Sequence, residues 1–374
     1  GQGTRMKSDV PKVLHKVGSK SILESVVSAS VTLAPRKIVT IYGHGGAQVH
    51  QASEHLPVTW VEQKEQLGTG HAVRQAIPEI EDSDTVLVLV GDIPLIKSET
   101  LSAAVELASH ESIGLITVNL EDPTGYGRVV RDDHRRVLGI VEHKDASDAQ
   151  RTVKEINTGI MALPGGKLKD WLGALRAENV QGEYYLTDVI QMAVNDGFEV
   201  KTVQPAKAYE VAGINDRTQL AAAERNYQSE RAEALMLDGV TLRDPSRVDI
   251  RGEVETGSDV VIDVNVVLEG NVTLGDRVYL GPNTIVRDSI IEDDVEILPN
   301  CVIEQSQVGR GSLIGPFARL RPEVYLQQNV KVGNFVEIKK SSIAAGAKVN
   351  HLSYVGDAEI GAKVNVGAGT ITCN

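Results

Sequence analysis

The chain has 374 residues, 41% apolar and only 4% aromatic, with 35 glycines and a formal net charge of −13. This length points to about two domains, and the acidic balance speaks against nucleic acid or an anionic membrane as the main partner. Its two cysteines, Cys301 and Cys373, sit in no metal-ligand spacing; they exclude a disulfide framework and suit a reducing cytoplasm, and no apolar run approaches the roughly 18 residues a membrane helix needs.

The first stretch is "GQGTRMKSDVPK" (1–12). Gly1 and Gly3 permit a tight turn whose amides can face phosphate. Arg5 and Lys12 supply cations, and Pro11 fixes the backbone beside Lys12. A lone Gly-x-Gly describes a solvated surface turn equally well. Phosphate-cradling turns normally follow a buried strand, and no strand precedes this one.

"KIVTIYG" (37–43) and "DTVLVLVGD" (84–92) read as short strands, and "GHAVRQAIPEI" (70–80) and "ETLSAAVELASH" (99–110) as helices with apolar residues at three-to-four spacing. Strands alternating with helices predict a mostly parallel sheet covered on both faces. Ligands of such sheets bind beyond the strand carboxyl ends, which places "YGHGG" and "VGDIP" at the site. Asp92 ends its strand there, either as an oxygen ligand for Mg²⁺ or as the turn residue before Ile93-Pro94. Residues 215–239 are charged, alanine-rich and free of proline. They predict a long, partly exposed helix joining two domains, capped by Asn215 or Asp216 and ended by Gly239.

Beyond about residue 250 the period changes to six: Ile262, Leu268, Leu274, Leu280 and Val286 recur at that spacing. A five-residue step leads to Ile291, Ile297 and Ile303, and another to Val308, Ile314, Leu320, Leu326, Val332 and Ile338. Ile343, Val349, Val355 and then Ile360, Val366 continue it. This is the hexapeptide repeat of a parallel β-helix; an ordinary β-sandwich would alternate by two with irregular turns. His351 lies between the inward Val349 and Val355, and its spacing alone favours a histidine packed on the outside of the coil.

Several segments occur in the order seen in sugar-1-phosphate nucleotidyltransferases: "GTRMKSDVPKVLH", "EQLGTGHAV", "VGDIPL", "DPTGYGRVV", "VEHKDA", "EINTGI" and "GEYYLTDVI". Joined to the hexads and "NHLSYVGDAEIG", they make the whole chain resemble the bacterial bifunctional N-acetylglucosamine-1-phosphate uridyltransferase / glucosamine-1-phosphate N-acetyltransferase family. The resemblance implies an α/β protein: a Rossmann-like nucleotidyltransferase domain (1–216), a linker helix (217–239) and a left-handed parallel β-helix (240–374). Handedness comes from the resemblance alone, because the usual crossover rule favours the right hand. Also implied are homotrimers formed through the β-helix, a cytoplasmic location, and synthesis of UDP-N-acetylglucosamine for peptidoglycan and lipopolysaccharide. The substrates would be UTP, N-acetylglucosamine-1-phosphate, glucosamine-1-phosphate and acetyl-CoA, with Mg²⁺ as cofactor.

Residue by residue, the resemblance gives the phosphates to Gly1, Arg5 and Lys12 and the Mg²⁺ to Asp92 and Asn215. Uracil falls to Gln63, Gly68 and Thr69, and the N-acetylglucosamine pocket to Gly127, Glu142, Asn157, Tyr185 and Thr187. Val90 stands where several relatives carry tyrosine. In the second half His351 matches the general base, a role suited to a histidine with a pKa near neutral, with Glu337 as its partner. Arg321 and Lys339 match the holders of the sugar phosphate, Tyr354 and Asn365 the contacts to the amino sugar, and Asn374 a residue on the acetyl-CoA side. Relatives carry a strand resembling "VVILAAG" ahead of the opening turn and further coils after "GAGTITCN". The expectation is that the real molecule has that central strand, whereas a chain lacking the last coils would acetylate poorly. A glucose-1-phosphate-type nucleotidyltransferase with a merely regulatory tail would need no histidine there, and a non-catalytic scaffold would need none of the phosphate-type motifs.

Overall fold

The computed structural model describes residues 4–43 and 46–372. The expectations for Gly1, Gly3 and Asn374 fall outside the described residues, as does Cys373. The chain folds as two compact units, 1–223 and 224–374.

The first unit is built on a six-stranded sheet. Its central strand, Glu155–Pro164, runs antiparallel to Thr85–Val88, Ser112–Asn119 and Arg128–Arg131. Glu199–Val203 pairs parallel with Ser112–Asn119, and Val39–Tyr42 pairs parallel with Thr59–Glu62 in a separate two-stranded sheet. The mostly parallel sheet is therefore corrected to a mixed one among the described residues. A parallel pair needs a crossover of a dozen residues, whereas a turn suffices for a hairpin. Arg128–Arg131 and Val137–Val141 are joined by such a turn, in which Asp132 accepts from the amides of His134 and Arg136.

Both sheet faces are apolar, so both are covered. Ile113, Leu115, Met161 and Leu163 pack under the helices Gly165–Ala174 and Asp188–Asn195 through Leu168, Trp171, Leu172, Val189 and Ile190. Ile116, Val118, Ile156 and Ile160 face the helices Ile22–Val31 and Ser98–Leu107 through Val26, Leu101 and Ala104. Val90 belongs to this second cluster and would meet any side chain placed at Gly159.

The helix Arg217–Leu237 begins where Asp216 Oδ1 accepts from the amides of Thr218 and Gln219. At its end Gly239 takes φ +97°, with Val240 N donating to Leu235 O and Gly239 N to Met236 O. That is the glycine stop motif, which needs the left-handed region.

The second unit is the left-handed parallel β-helix of hexapeptide repeats. Its strands pair only in parallel, coil upon coil, on three faces. Equivalent residues lie 17 or 18 apart, as in the side-chain ladder Asn265–Asn283–Asn300. Nearly every aliphatic of the hexads, Ile262 through Val355, is fully buried in one continuous core without aromatics, which accounts for their scarcity in the sequence. The five-residue steps all fall at one corner. Asp288, Gln305, Lys340 and Asp357 turn it with φ between 44 and 47°, while the six-residue steps use Gly270 and Glu323 at 71 and 64°. Cys301 is in the core, and burial pushes its thiol up to about 11, so it is an inert filler.

Candidate functional site

In the first unit a short 3-10 turn, Lys12–Leu14, starts directly after Pro11. Lys12 Nζ donates to Asp92 Oδ2 at 2.6 Å and to Asn215 Oδ1 at 3.2 Å. Asp92 lies past the end of the strand Thr85–Val88, and its carbonyl accepts from Ile214 N at 2.9 Å, which ties Asn215 to the same spot. Gly213 passes so close that a side chain there would touch the Asp92 carboxylate. Three residues separated by 80 and 203 positions thus meet at one partly exposed point.

Two oxygens converging on one ammonium form a cradle of the kind a hard cation takes. Asp92 Oδ2 and Asn215 Oδ1 suit Mg²⁺, which keeps waters and substrate phosphate in its remaining positions. Among the described residues no group of three or more His, Cys, Asp or Glu is arranged to hold a metal. Arg5 is exposed. Its charge is among the influences holding Asp216 below the usual carboxylate range, of which the Thr218 hydroxyl is the largest.

Gln63 Nε2 donates to Gly68 O at 3.2 Å and lies 3.0 Å from His71 Nδ1. Gly68, at φ +114°, precedes the helix Thr69–Arg74, and a Cβ there would collide with the Tyr184 backbone. Thr69 Oγ1 accepts from Leu186 N. Gln63 also lines a cavity of ≈ 590 Å³ with Tyr42, His50, Glu62, Lys64 and Gln66. Gln66 is a lining residue that the sequence reading passed over.

The five expected sugar-site residues lie together. Thr187 Oγ1 donates to Glu142 Oε1 at 2.9 Å, Gly127 lies against that carboxylate, and Gly127 O accepts from Asn157 N at 2.9 Å. Tyr185 Oη reaches Asp145 Oδ2 at 3.4 Å. Burial raises Glu142 above the usual carboxylate range, and the Asp145 charge adds to this against the pull of the Thr187 hydroxyl. Burial, then the charges of Glu142 and Asp145, raise Asp188 as well, and burial with Asp145 takes Tyr185 to about 12. Asp145 and Asp188 were not anticipated individually. Their signal was membership of "VEHKDA" and "GEYYLTDVI".

In the second unit the candidate residues lie on successive coils but on two faces, Arg321, Glu337, Lys339 and Tyr354 on one strand stack and His351 and Asn365 on the next. The register Leu320↔Ile338, extended by one, puts Arg321 beside Lys339, and Glu337 pairs with Tyr354. Each cation has a carboxylate: Arg321 Nη1 to Glu337 Oε1 at 2.9 Å, and Lys339 Nζ to Asp357 Oδ2 at 3.8 Å. Tyr354 lies over Gly356, and Asn365 Oδ1 accepts from Asn350 Nδ2. His351 is exposed at the end of the strand Lys348–His351. Its Nδ1 is 2.7 Å from Asn334 Oδ1. The partner expected for the ring was Glu337, but the structure gives the ring to Asn334 and Glu337 to Arg321.

Known proteins resemble both units. The family "MobA-like NTP transferase domain" matches residues 1–153, and "Bacterial transferase hexapeptide (six repeats)" matches residues 253–288. The chain is 57% identical to the bifunctional protein GlmU of Methylococcus capsulatus, over 100% of this chain and 81% of the relative. It is 54% identical to that of Stutzerimonas stutzeri and 56% identical to that of Pseudomonas syringae pv. syringae, in each case over 100% of this chain and 82% of the relative.

Proposed function

The chain belongs to the bifunctional GlmU family, and on that premise we propose which residues carry each of its two reactions. It is a nucleotidyltransferase and an acetyltransferase. The β-helix transfers acetyl from acetyl-CoA to glucosamine-1-phosphate, and the N-terminal domain transfers uridylyl from UTP to N-acetylglucosamine-1-phosphate, releasing pyrophosphate.

In the uridylyl transfer the sugar phosphate attacks the α-phosphorus in line, so the protein must hold two polyanions and neutralise charge. Arg5 and Lys12 supply cations, and Gly1, outside the described residues, is assigned to the phosphates by the resemblance. Asp92 and Asn215 would hold Mg²⁺, which would supply positive charge to neutralise phosphate oxygens. Gln63 reads the uracil edge with its carboxamide, next to Gly68 and Thr69. Gly127, Glu142, Asn157, Tyr185 and Thr187 hold the N-acetylglucosamine. The observation that carries this reading is the convergence of Lys12, Asp92 and Asn215.

For acetyl transfer, His351 removes a proton from the sugar's ammonium group, the freed lone pair attacks the thioester carbonyl, and the C–S bond breaks with CoA leaving as the thiol. Arg321 and Lys339 take the sugar phosphate and Tyr354 and Asn365 the amino sugar; Asn374, outside the described residues, is assigned to the acetyl-CoA side by the resemblance. Glu337 acts through Arg321, its ion-pair partner. We further read the boundaries as 1–216, 217–239 and 240–374, the location as cytoplasmic and the assembly as a homotrimer through the β-helix. An exposed apolar ridge, Phe317, Phe335 and Leu352, supports the last of these. Among the described residues no helix is long and apolar enough to cross a membrane.

The test is a double dissociation. Asp92→Ala abolishes pyrophosphate release from UTP and N-acetylglucosamine-1-phosphate and keeps acetyl transfer; His351→Ala does the reverse. Loss of both activities in either folded variant, or retention of the targeted one, overturns the assignment.

A further inference from the structure

The hydrogen bond between Asn334 and His351 has a chemical consequence. A neutral imidazole carries one proton, and the bond made at one ring nitrogen decides where it sits. Asn334 Oδ1 is an acceptor 2.7 Å from Nδ1, so Nδ1 donates and Nε2 keeps its lone pair. We propose that Asn334 is a positioning residue for acetyl transfer: it holds His351 in the tautomer whose Nε2 is the base.

The repeat places the pair. Asn334 and His351 are register partners at the ends of the stacked strands Lys331–Asn334 and Lys348–His351. Each is followed by a residue in the left-handed region, Phe335 at φ 55° and Leu352 at φ 46°. Leu352 N donates to Asn334 O at 3.2 Å, so backbone and side chain of Asn334 both grip the next coil.

An amide suits this position better than a carboxylate. An aspartate below the ring would favour the imidazolium, and a base must be unprotonated to act. Among the described residues, those shown beside the ring are uncharged. Asn350 and Leu352 flank it in sequence, and the coil above presents Gly367–Gly369, with Ser353 Oγ reaching Gly367 O and Gly369 N reaching Leu352 O. Glu337, the nearest carboxylate along the coil below, is engaged by Arg321. A partner that orients the ring without adding charge does not favour the imidazolium.

The proposal rests on His351 being the base, and its test separates the two. In the full-length protein, Asn334→Leu should lower the acetyl-transfer kcat about ten-fold, a part of the 10²–10⁴ that a positioned base is worth. KM for glucosamine-1-phosphate should change less than about two-fold and the acid limb of the kcat–pH profile should stay put. Asn334→Asp should keep the tautomer and move that limb up by about one pH unit. Hydrogen-exchange protection of the coils around Asn334 reports folding of the β-helix and should match wild type in both, as should uridylyl transfer in the other unit. An unmoved acid limb in Asn334→Asp, an unchanged kcat in Asn334→Leu, or a loss expressed in KM overturns the positioning role. Acetyl transfer surviving in His351→Ala would instead overturn the base assignment itself.

Discussion

The two units assemble their sites in opposite ways. In the first, Lys12, Asp92 and Asn215 come from three distant loops and meet only because the mixed sheet brings them to one mouth. In the second, Asn334 and His351, Glu337 and Tyr354, and Arg321 and Lys339 are the same positions in consecutive coils. A sheet protein thus gathers chemistry across sequence, and a solenoid stacks it at a fixed spacing. Damage to either site should therefore spread differently.

The largest expected effect is at the gathered site. Lys12 is the cation shared by Asp92 and Asn215. Lys12→Ala should lower uridylyl transfer by roughly 10²–10³, the scale of losing one preorganised stabiliser of developing charge, and leave acetyl transfer at wild-type level. Steady-state pyrophosphate release beside acetyl transfer on the same preparation checks it. A loss under ten-fold would mean that the convergence is structural.

Next comes a core deletion in the stack. Ile338 is fully buried between coils. Ile338→Ala should cost about 2–5 kcal/mol. Because each coil touches only its neighbours, the loss should concentrate in the adjacent coils. Hydrogen exchange should rise from about Leu320 to Val355 while the first unit and uridylyl transfer keep their wild-type behaviour. Uniform loss of protection through both units would break the comparison.

This contrast also explains what was legible. The hexads gave the β-helix, because an inward position repeated every coil is a one-dimensional signal. The five-residue steps were visible as slips of phase, and the structure adds that they share one corner. The mixed sheet was not legible. Apolar alternation says which residues pair into a covered sheet but not in which direction, and Glu155–Pro164 was read only as part of a motif. Site residues were found through motif resemblance, and those without a motif role of their own (Asn334, Asp145, Asp188) needed coordinates. Asn334 was missed for a physical reason: its meaning lies in being 17 residues below His351, a distance that matters only once the coil length is known.

A smaller effect concerns pH in the first unit. Burial raises Glu142 above its ordinary value. A carboxyl raised in the folded state contributes stability that is present below the unfolded pKa and lost as pH rises through the folded value. Glu142→Gln removes that loss. Its first-unit Tm should match wild type near pH 4 and exceed it by a few degrees near pH 8, on the order expected for small changes in a unit of this size, while affinity for the sugar nucleotide falls. Calorimetry at the two pH values checks it, and a gap that narrows as pH rises would reverse the sign.

The smallest effect lies on the outside of the stack, where repetition also builds charge ladders. Arg277 makes a two-pronged contact to Asp294, at 2.6 and 3.1 Å, from a corner position at φ 57°. It is half exposed, so solvent and salt screen the pair and it contributes little. The corner favours asparagine over arginine, since Asn tolerates the left-handed region best among non-glycine residues, and the neighbouring corner already carries Asn265, Asn283 and Asn300 bonded in series. In Arg277→Asn the lost ion pair and the relieved backbone oppose each other, so the urea midpoint should stay close to wild type and become less sensitive to salt. A loss of several kcal/mol there would mean that the β-helix is held by its surface charges as much as by its aliphatic column, and the contrast with Ile338→Ala would collapse.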